Sequence, residues 1–179
     1  WVREQGLSVD DAPSYLREFE HVTLARVLIA RYQSDRETGS IREAIGLLEH
    51  LLQAADAGGR MGSVIEILAL LALAHAAQGD IPPALVSLER ALTLAEPEGY
   101  VRIFLDEGKP MAELLGRMKD EGRTARRKTY VHKLLAAFGA EEIHPSHLHF
   151  AQAQVSLILQ PLVEPLSENE LEVLRLLRT

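Results

Sequence analysis

The 179-residue sequence has no cysteine and few aromatic residues, which make up 5% of it. The absence of cysteine excludes a disulfide framework, a thiol nucleophile and any metal site with cysteine ligands. No apolar run approaches the length needed to span a membrane without charged or strongly polar side chains, so we expect no membrane-spanning segment. The N-terminal stretch, which contains Arg3, Glu4, Asp10 and Asp11, is too charged for a signal peptide. Together these absences favour a cytoplasmic protein.

Leucine and alanine dominate what is present. Both are strong helix formers, whereas β-branched and aromatic residues are sparse, so the composition predicts an all-α fold. The pattern does not alternate strands with helices, which argues against a Rossmann or other α/β domain. The sequence also lacks the Gly-x-x-x-x-Gly-Lys-Ser/Thr loop that cradles phosphates. We therefore expect no cofactor in this fragment and no enzymatic activity.

The net charge of −7 is distributed unevenly. Residues 101–140 carry nine basic and five acidic residues, a local charge of +4, while the rest of the chain is acidic. An acidic body argues against a wide nucleic-acid surface, which must neutralise phosphates. The basic island is interpreted either as a patch for nucleic acid or a partner, or, as we favour, as a solvated helix face. It comprises Arg117, Lys119, Arg123, Arg126, Arg127, Lys128 and Lys133.

Turn and capping residues predict where the helices begin and end. The expected capping boxes are Ser40 with Glu43 and Ser63 with Glu66, and Gly79 is an expected left-handed helix terminus. Asp80 is expected to cap the fourth helix, which has two prolines in its first turn. The predicted helices cover residues 11–32, 40–57, 63–78, 80–96, 100–106, 110–121 and 124–138, with a polar loop over 33–39.

The long helices form two similar pairs. The segment at positions 44–49, Ala-Ile-Gly-Leu-Leu-Glu, resembles the later segment at positions 84–89, Ala-Leu-Val-Ser-Leu-Glu. Two-helix repeats at this spacing indicate an α-solenoid, and the small and large residues fit the packing positions of tetratricopeptide repeats (TPRs). An ordinary helical bundle with similar Leu/Ala rows is the alternative. The packing residues are Leu24, Ala25, Leu28, Ala44 and Leu48 in the first pair, and Leu71, Ala72, His75, Ala84, Leu88 and Ala91 in the second.

A C-terminal stretch, Leu166–Leu177, reads Leu-Ser-Glu-Asn-Glu-Leu-Glu-Val-Leu-Arg-Leu-Leu. It resembles the opening of the helix-turn-helix domain of LuxR-type transcriptional regulators, in which a Leu-Ser/Thr-x-Arg/Glu-Glu pattern caps the first helix. Asn169 stands where that family usually has arginine. A generic capped amphipathic helix is the alternative interpretation.

Two further segments, residues 95–108 and 62–68, resemble the large ATP-dependent LuxR regulators of the MalT type. This resemblance implies an N-terminal NTPase domain, a TPR-like sensor region and a C-terminal helix-turn-helix. It divides the chain into a sensor domain over 1–138, a linker over 139–165 and the truncated start of a helix-turn-helix over 166–179. The chain begins with Trp1 and ends inside an apolar periodic run, so we expect a fragment of such a regulator.

In a TPR solenoid the first helix of each pair lines the concave face, where ligands bind. The positions expected there by resemblance include a polar pair, Arg26 and Glu66, that could orient a ligand, with Phe19 or Tyr100 as a stacking wall. The alternative is that the apolar members belong to the core. The expected groove residues are Phe19, Val22, Arg26, Ile29, Glu66, Ala69, Leu73, Ala76, Tyr100 and Arg102.

The resemblance implies a regulatory domain that binds a small-molecule inducer or a regulatory protein and signals to a DNA-binding domain. It implies DNA contact only through the missing C-terminal part. The lack of a long apolar run predicts no contact with a membrane, and the unpaired end faces of a solenoid allow a homodimer. A TPR scaffold that binds a peptide is the alternative function. His144, His147 and His149 have a spacing compatible with metal ligands, but nothing orients them in a linker, so we expect no metal site.

Overall fold

The computed structural model describes residues 17–118 and 124–143, with side chains up to residue 140. These ranges contain seven helices and no strand, which confirms the all-α prediction. The helices are α1 (Glu18–Asp35), α2 (Thr38–Ala57), α3 (Met61–Gln78), α4 (Ile81–Ala95), α5 (Arg102–Leu105), α6 (Lys109–Gly116) and α7 (Ala125–Ile143).

The first four helices form the two predicted pairs, α1 with α2 and α3 with α4, and α2 also packs against α3. Every packing residue predicted from the TPR pattern is buried except His75, which is partly exposed. Ala25, Ala44, Ala72 and Ala84 have no exposed surface, so their small side chains lie where neighbouring helices meet. The fold is therefore a TPR-like α-solenoid of stacked helix pairs.

The turn between α1 and α2 is shorter than predicted. The expected polar loop over residues 33–39 is wrong, because only Arg36 and Glu37 separate the two helices. Arg36 adopts a left-handed conformation with φ 56°, as Gly79 does with φ 91° in the second pair. Its guanidinium lies 5.7 Å from the centre of the Tyr32 ring. A helix end is usually predicted from a glycine at the left-handed position. Because arginine occupies that position here, the sequence does not indicate where α1 ends.

The predicted capping box of Ser40 and Glu43 does not form. Helix α2 begins two residues earlier, at Thr38, and no side chain caps it. Ser40 is buried and its Oγ lies 3.4 Å from a carboxylate oxygen of Glu37. Asp80 precedes α4 as predicted, but its side chain makes no capping bond.

The second predicted capping box is also wrong, because α3 begins at Met61 and both members bind residues of α1. The Ser63 hydroxyl donates to Glu18 over 2.5 Å, and Glu66 accepts a hydrogen bond from Arg26 over 2.9 Å. The spacing of serine and glutamate is compatible with a local cap, but packing against α1 offers both side chains tertiary partners instead.

Helix α3 lies at the centre of the fold and contacts α1, α2, α4, α5 and α6. Every residue from Val64 to Ala74 except Glu66 is buried, so α3 is apolar around its whole circumference. Within the described residues it is the one helix long and apolar enough to cross a membrane, with mean hydropathy 1.5 over 18 residues. Half of it is buried inside the protein, as expected for a core helix.

The shorter helices that follow α4 depart further from the prediction. Helix α5 has only four residues, and α6 begins at Lys109 with Pro110 in its first turn and ends at Gly116. Helix α7 does not stop before Gly139 but continues to Ile143, so the start of the predicted linker is helical. Contacts divide the chain into one compact unit up to Gly139 and a second over residues 140–179. The rest of the predicted linker and residues 166–179 lie outside the described residues.

Candidate functional site

Two adjoining clefts lie along α1, α3 and α6. The first, which we call the Arg26 cleft, has a volume of about 180 Å³. The second, the Arg117 cleft, has a volume of about 140 Å³ and shares Gln33, Leu73 and Pro110 with the first. The Arg26 cleft is lined by Arg26, Ile29, Ala30, Gln33, Leu70, Leu73, Glu107 and Pro110.

Three charged side chains meet at the Arg26 cleft, and we call them the Arg26 cluster. Arg26 Nη1 donates to Glu107 Oε1 over 2.5 Å, and Arg26 Nη2 donates to Glu66 Oε1 over 2.9 Å. The side chain of Glu107 is only 7% exposed, whereas those of Arg26 and Glu66 are 38% and 37% exposed. The cluster therefore connects α1, α3 and the turn between α5 and α6, with its buried carboxylate at that turn.

The cluster contains two carboxylates and only one guanidinium, so its charges do not cancel. Burial raises the pKa of Glu107, which the Arg26 guanidinium partly opposes and the Glu66 and Asp106 carboxylates reinforce. For Arg26, burial acts to lower the pKa, but its two carboxylate partners outweigh this and the pKa is raised. Arg26 thus stays charged. When both glutamates are ionised, two carboxylates share one guanidinium and the cluster carries one excess negative charge.

Backbone geometry places Glu107 at the cleft. The Glu107 N–H donates to the Phe104 carbonyl over 3.2 Å, and the Gly108 N–H donates to the Leu105 carbonyl over 2.9 Å. Gly108 has φ 66° and ψ −152°, a conformation that only glycine adopts readily. Phe104 is completely buried, which anchors the turn to the core. A glycine turn between two short helices therefore holds the carboxylate in place.

Several of the expected groove residues come together here. Arg26, Ile29 and Leu73 line the Arg26 cleft, and Ala76 lines the Arg117 cleft. Glu66 contacts the site through Arg26. Arg26 and Glu66 were expected to orient a ligand side by side. In the structure they bind each other, and Glu107 completes the cluster.

The other expected groove residues lie elsewhere, and none of them lines either cleft. Phe19, in the first turn of α1, is 80% exposed, and Tyr100 lies in the turn after α4 and is 40% exposed. Neither provides a stacking wall for the clefts. Arg102 is exposed and pairs with Asp106 over 2.9 Å. Two others are core residues, as the alternative interpretation held, namely Val22 and Ala69.

Sequence reasoning missed Glu107, Gln33 and Pro110. Glu107 and its neighbour Asp106 have separate partners in the structure, since Asp106 binds Arg102 and Glu107 binds Arg26. The one local signal for Glu107 is its place between a buried apolar pair and Gly108. That signal marks a turn, but it does not identify the side chain that Glu107 meets.

Two residues of the basic island, Arg126 and Arg127, form ion pairs within the protein. Arg127 is 13% exposed, and its Nε and Nη1 lie 2.5 Å and 2.9 Å from carboxylate oxygens of Glu96 and Glu89. Arg126 also binds Glu96, over 2.9 Å, but is 71% exposed. These ion pairs attach α7 to the C-terminal half of α4 and the turn after it. For Arg127, tertiary pairing replaces both a free patch and a solvated face, whereas Arg126 stays mostly exposed.

An aromatic contact links α7 to the segment that carries Glu107. The Tyr130 hydroxyl donates to the Tyr100 carbonyl, and the Tyr130 ring meets the edge of Phe104 with centroids 6.5 Å apart. Burial raises the pKa of Tyr130 to about 12, with a further contribution from Glu96 that Arg127 opposes. The stretch from residue 100 to 107 therefore contacts α7 at one end and the Arg26 cleft at the other.

The described residues contain no group of three or more His, Asp or Glu side chains suited to hold a metal ion. The three histidines with compatible spacing, His144, His147 and His149, lie outside the described residues. The interpretation of those three positions therefore stays a prediction from the sequence.

A comparison with known families matches the profile of the MalT-like TPR region over residues 1–121. The matched range includes α1 to α6 and both clefts, and it ends before α7. No curated protein and no solved structure matches the chain significantly. Because the match covers more than half of the sequence, the chain belongs to the family of MalT-like TPR regions.

Proposed function

We propose that this chain is the regulatory region of a cytoplasmic transcription regulator of the LuxR family, and that it binds a compact effector in the Arg26 cleft. The observation that carries the proposal is the charged cluster lining a cleft within the family's TPR region. Concave sites with apolar walls and a few convergent polar groups are typical of ligand pockets. The proposal assigns no catalytic role to the region.

The dimensions of the cleft favour a small ligand over a peptide. Pockets for drug-sized ligands have volumes of about 300–1,000 Å³, whereas the Arg26 cleft has about 180 Å³. Its continuation into the Arg117 cleft gives room for a somewhat longer molecule. An extended peptide would need a longer groove, so we place the peptide-scaffold function second.

The route for a signal in this proposal begins at Glu107. An effector that changes the position of Glu107 acts on Phe104, three residues away, and through its ring on Tyr130 of α7. Helix α7 precedes residues 166–179 in the sequence, which resemble the start of a helix-turn-helix domain. An effector controls such a route only if it binds one conformation more tightly than the other. We therefore propose that effector binding alters how firmly α7 is held.

The test is a thermal-shift screen of the purified chain against sugars, amino acids, amines, nucleotides and small aromatics. A ligand that binds only the folded state raises the melting temperature, by an amount that follows its concentration. We expect a stabilising compound whose effect is lost in Ile29→Asp and retained in Arg102→Ala. Arg102 is a suitable control because it is exposed and lines neither cleft.

The same compound should change amide hydrogen exchange in α7. A compound that stabilises the chain without affecting residues 125–140 would contradict the proposed route to the C-terminus. If no compound stabilises the wild type, the effector proposal fails. Val86 of α4 is a large apolar side chain that is 71% exposed, and protection of α4 around it by a peptide would then support the scaffold function.

A further inference from the structure

The Arg26 cluster has carboxylate oxygens that accept no hydrogen bond from a described residue, and it has two carboxylates for one positive charge. Both Nη atoms of Arg26 are occupied, one by Glu107 and the other by Glu66. Each glutamate accepts from Arg26 through Oε1, and no described residue donates to the second oxygen of either. The two glutamates thus keep unused acceptor oxygens, and together they carry one negative charge more than Arg26 balances.

Burial makes the second oxygen of Glu107 significant. More than nine-tenths of this side chain is removed from solvent, and Glu107 is one of the residues that line the Arg26 cleft. A buried carboxylate with an unfilled acceptor is costly, because water cannot solvate it fully. A positively charged donor in the cleft would relieve that cost.

An anionic ligand fits the same cleft poorly. It would lie beside two carboxylates, with only one guanidinium among three negative charges. Such an arrangement at short distances is strongly repulsive in a partly buried site. The cluster therefore discriminates by charge, and it does so against carboxylates and phosphates.

The rest of the cleft suits an alkyl group. Ile29, Leu70, Leu73 and Pro110 form apolar walls, and Gln33 provides a polar side chain at the junction with the Arg117 cleft. A molecule with a charged amine at one end and a short hydrocarbon part would bury that part against these walls. The length of chain that fits is limited by the volume of about 180 Å³.

We infer that the effector of the Arg26 cleft is a small primary amine, bound as its ammonium ion by Glu107, with its hydrocarbon part against Ile29 and Leu73. Glu66 adds negative charge to the site through its pairing with Arg26. This inference rests on the proposed function and specifies the ligand class of the same site. The ammonium group supplies up to three N–H donors and the positive charge that the cluster lacks.

The test uses three probes of equal length and different charge: n-pentylamine, pentanoate and 1-pentanol. Each is titrated into the ¹⁵N-labelled full chain at pH 7 and constant ionic strength, and binding is followed by amide chemical shifts. We expect the amine to bind most tightly and to shift signals of residues 26–33, 70–73 and 107–110. In Glu107→Gln its affinity should fall by about tenfold, as for loss of a charge-assisted hydrogen bond.

Asp106→Asn is the matched control, because it makes the same change one residue away on an exposed side chain that pairs with Arg102. Amine affinity should be nearly unchanged in it. Glu66→Gln is the second variant and should weaken amine binding by a smaller factor, since Glu66 is more exposed than Glu107. Thermal unfolding of each variant shows that it is folded before the titration.

The outcomes separate the ligand class from the site. If pentanoate or pentanol binds the cleft as tightly as the amine, the inference is overturned while the proposed effector site stands. If the amine binds equally well to wild type and both glutamate variants, the inference is overturned as well. Binding of none of the three probes also overturns it, and the wider thermal-shift screen then decides the proposed function independently.

Discussion

At the scale of single residues, the decisive group is Glu107, a carboxylate that the fold buries beside one shared cation. Its neighbours in space come from three places: Arg26 on α1, Glu66 on α3 and Asp106 in the same turn. Burial dominates among these influences and keeps the pKa of Glu107 above its ordinary value of 4.5. Ionised Glu107 therefore lowers the stability of the folded chain relative to its protonated form.

The consequence is a pH dependence of stability that belongs to this residue. Because the folded-state pKa is raised, the stabilising contribution of Glu107 is fully present below about pH 4.5 and is lost as the pH rises through the folded-state pKa. Urea unfolding of wild type and Glu107→Gln between pH 4 and pH 7 tests this. The stability of wild type minus that of the variant should decrease with rising pH and then level off. Parallel curves for the two proteins would contradict the assignment.

At the scale of elements, α7 is attached to the solenoid by ion pairs and a few apolar contacts, and not by the extensive apolar packing that joins the first four helices. Its buried apolar residues are few, namely Tyr130, Val131 and Leu134. The Arg127 ion pairs with Glu96 and Glu89 fix its first turn, with both Arg127 and Glu96 largely buried. An element held by a few such contacts can loosen without unfolding the core, which is the property a signal-transmitting helix needs.

Arg127→Ala should therefore lower stability by about 2–3 kcal/mol, because it leaves Glu96 largely buried with only an exposed arginine nearby. Arg126→Ala provides the comparison, since Arg126 binds the same carboxylate but is mostly exposed. It should cost less than about 1 kcal/mol. Chemical denaturation measures the loss in each variant, and hydrogen exchange should rise in α7 before α3 in Arg127→Ala. Equal losses in the two variants would refute this account of α7.

At the scale of the whole molecule, α3 is the element around which the other helices are arranged. It contacts five of them and contributes more buried residues than any other described helix. Its alanines allow this, because a small side chain at a crossing point lets two helix backbones approach closely. Ala72 has no exposed surface and lies at one of the predicted packing positions. The close packing of the solenoid thus depends on small residues in its central helix.

Ala72→Leu should destabilise the chain by about 1–3 kcal/mol, because the added atoms have no space in a packed core. Ala136→Leu, which makes the same change on an exposed position of α7, should alter stability by less than about 0.5 kcal/mol. Thermal unfolding of both variants against the wild type measures the difference. A neutral Ala72→Leu would show that the α3 interface contains unfilled space.

The helical fold, the pairing of the first four helices and the positions that pack between them follow from the order of residues alone. Leu48, Ala72 and Leu88 were correctly predicted as packing positions, because helical periodicity and residue size can be determined from the local sequence. The left-handed end of α3 at Gly79 was predicted for the same reason, since only the local backbone decides it.

The partners of the charged and polar side chains, by contrast, depend on how the helices pack. Ser63 and Glu66 have the spacing of a capping box, yet they bind Glu18 and Arg26, because α1 is packed against α3 at that level. Glu107 meets Arg26 from a distant part of the sequence, and no local pattern encodes that pairing. A charged side chain pairs with the group that helix packing places near it. The set of residues that lines the cleft therefore follows from the packing of the helices.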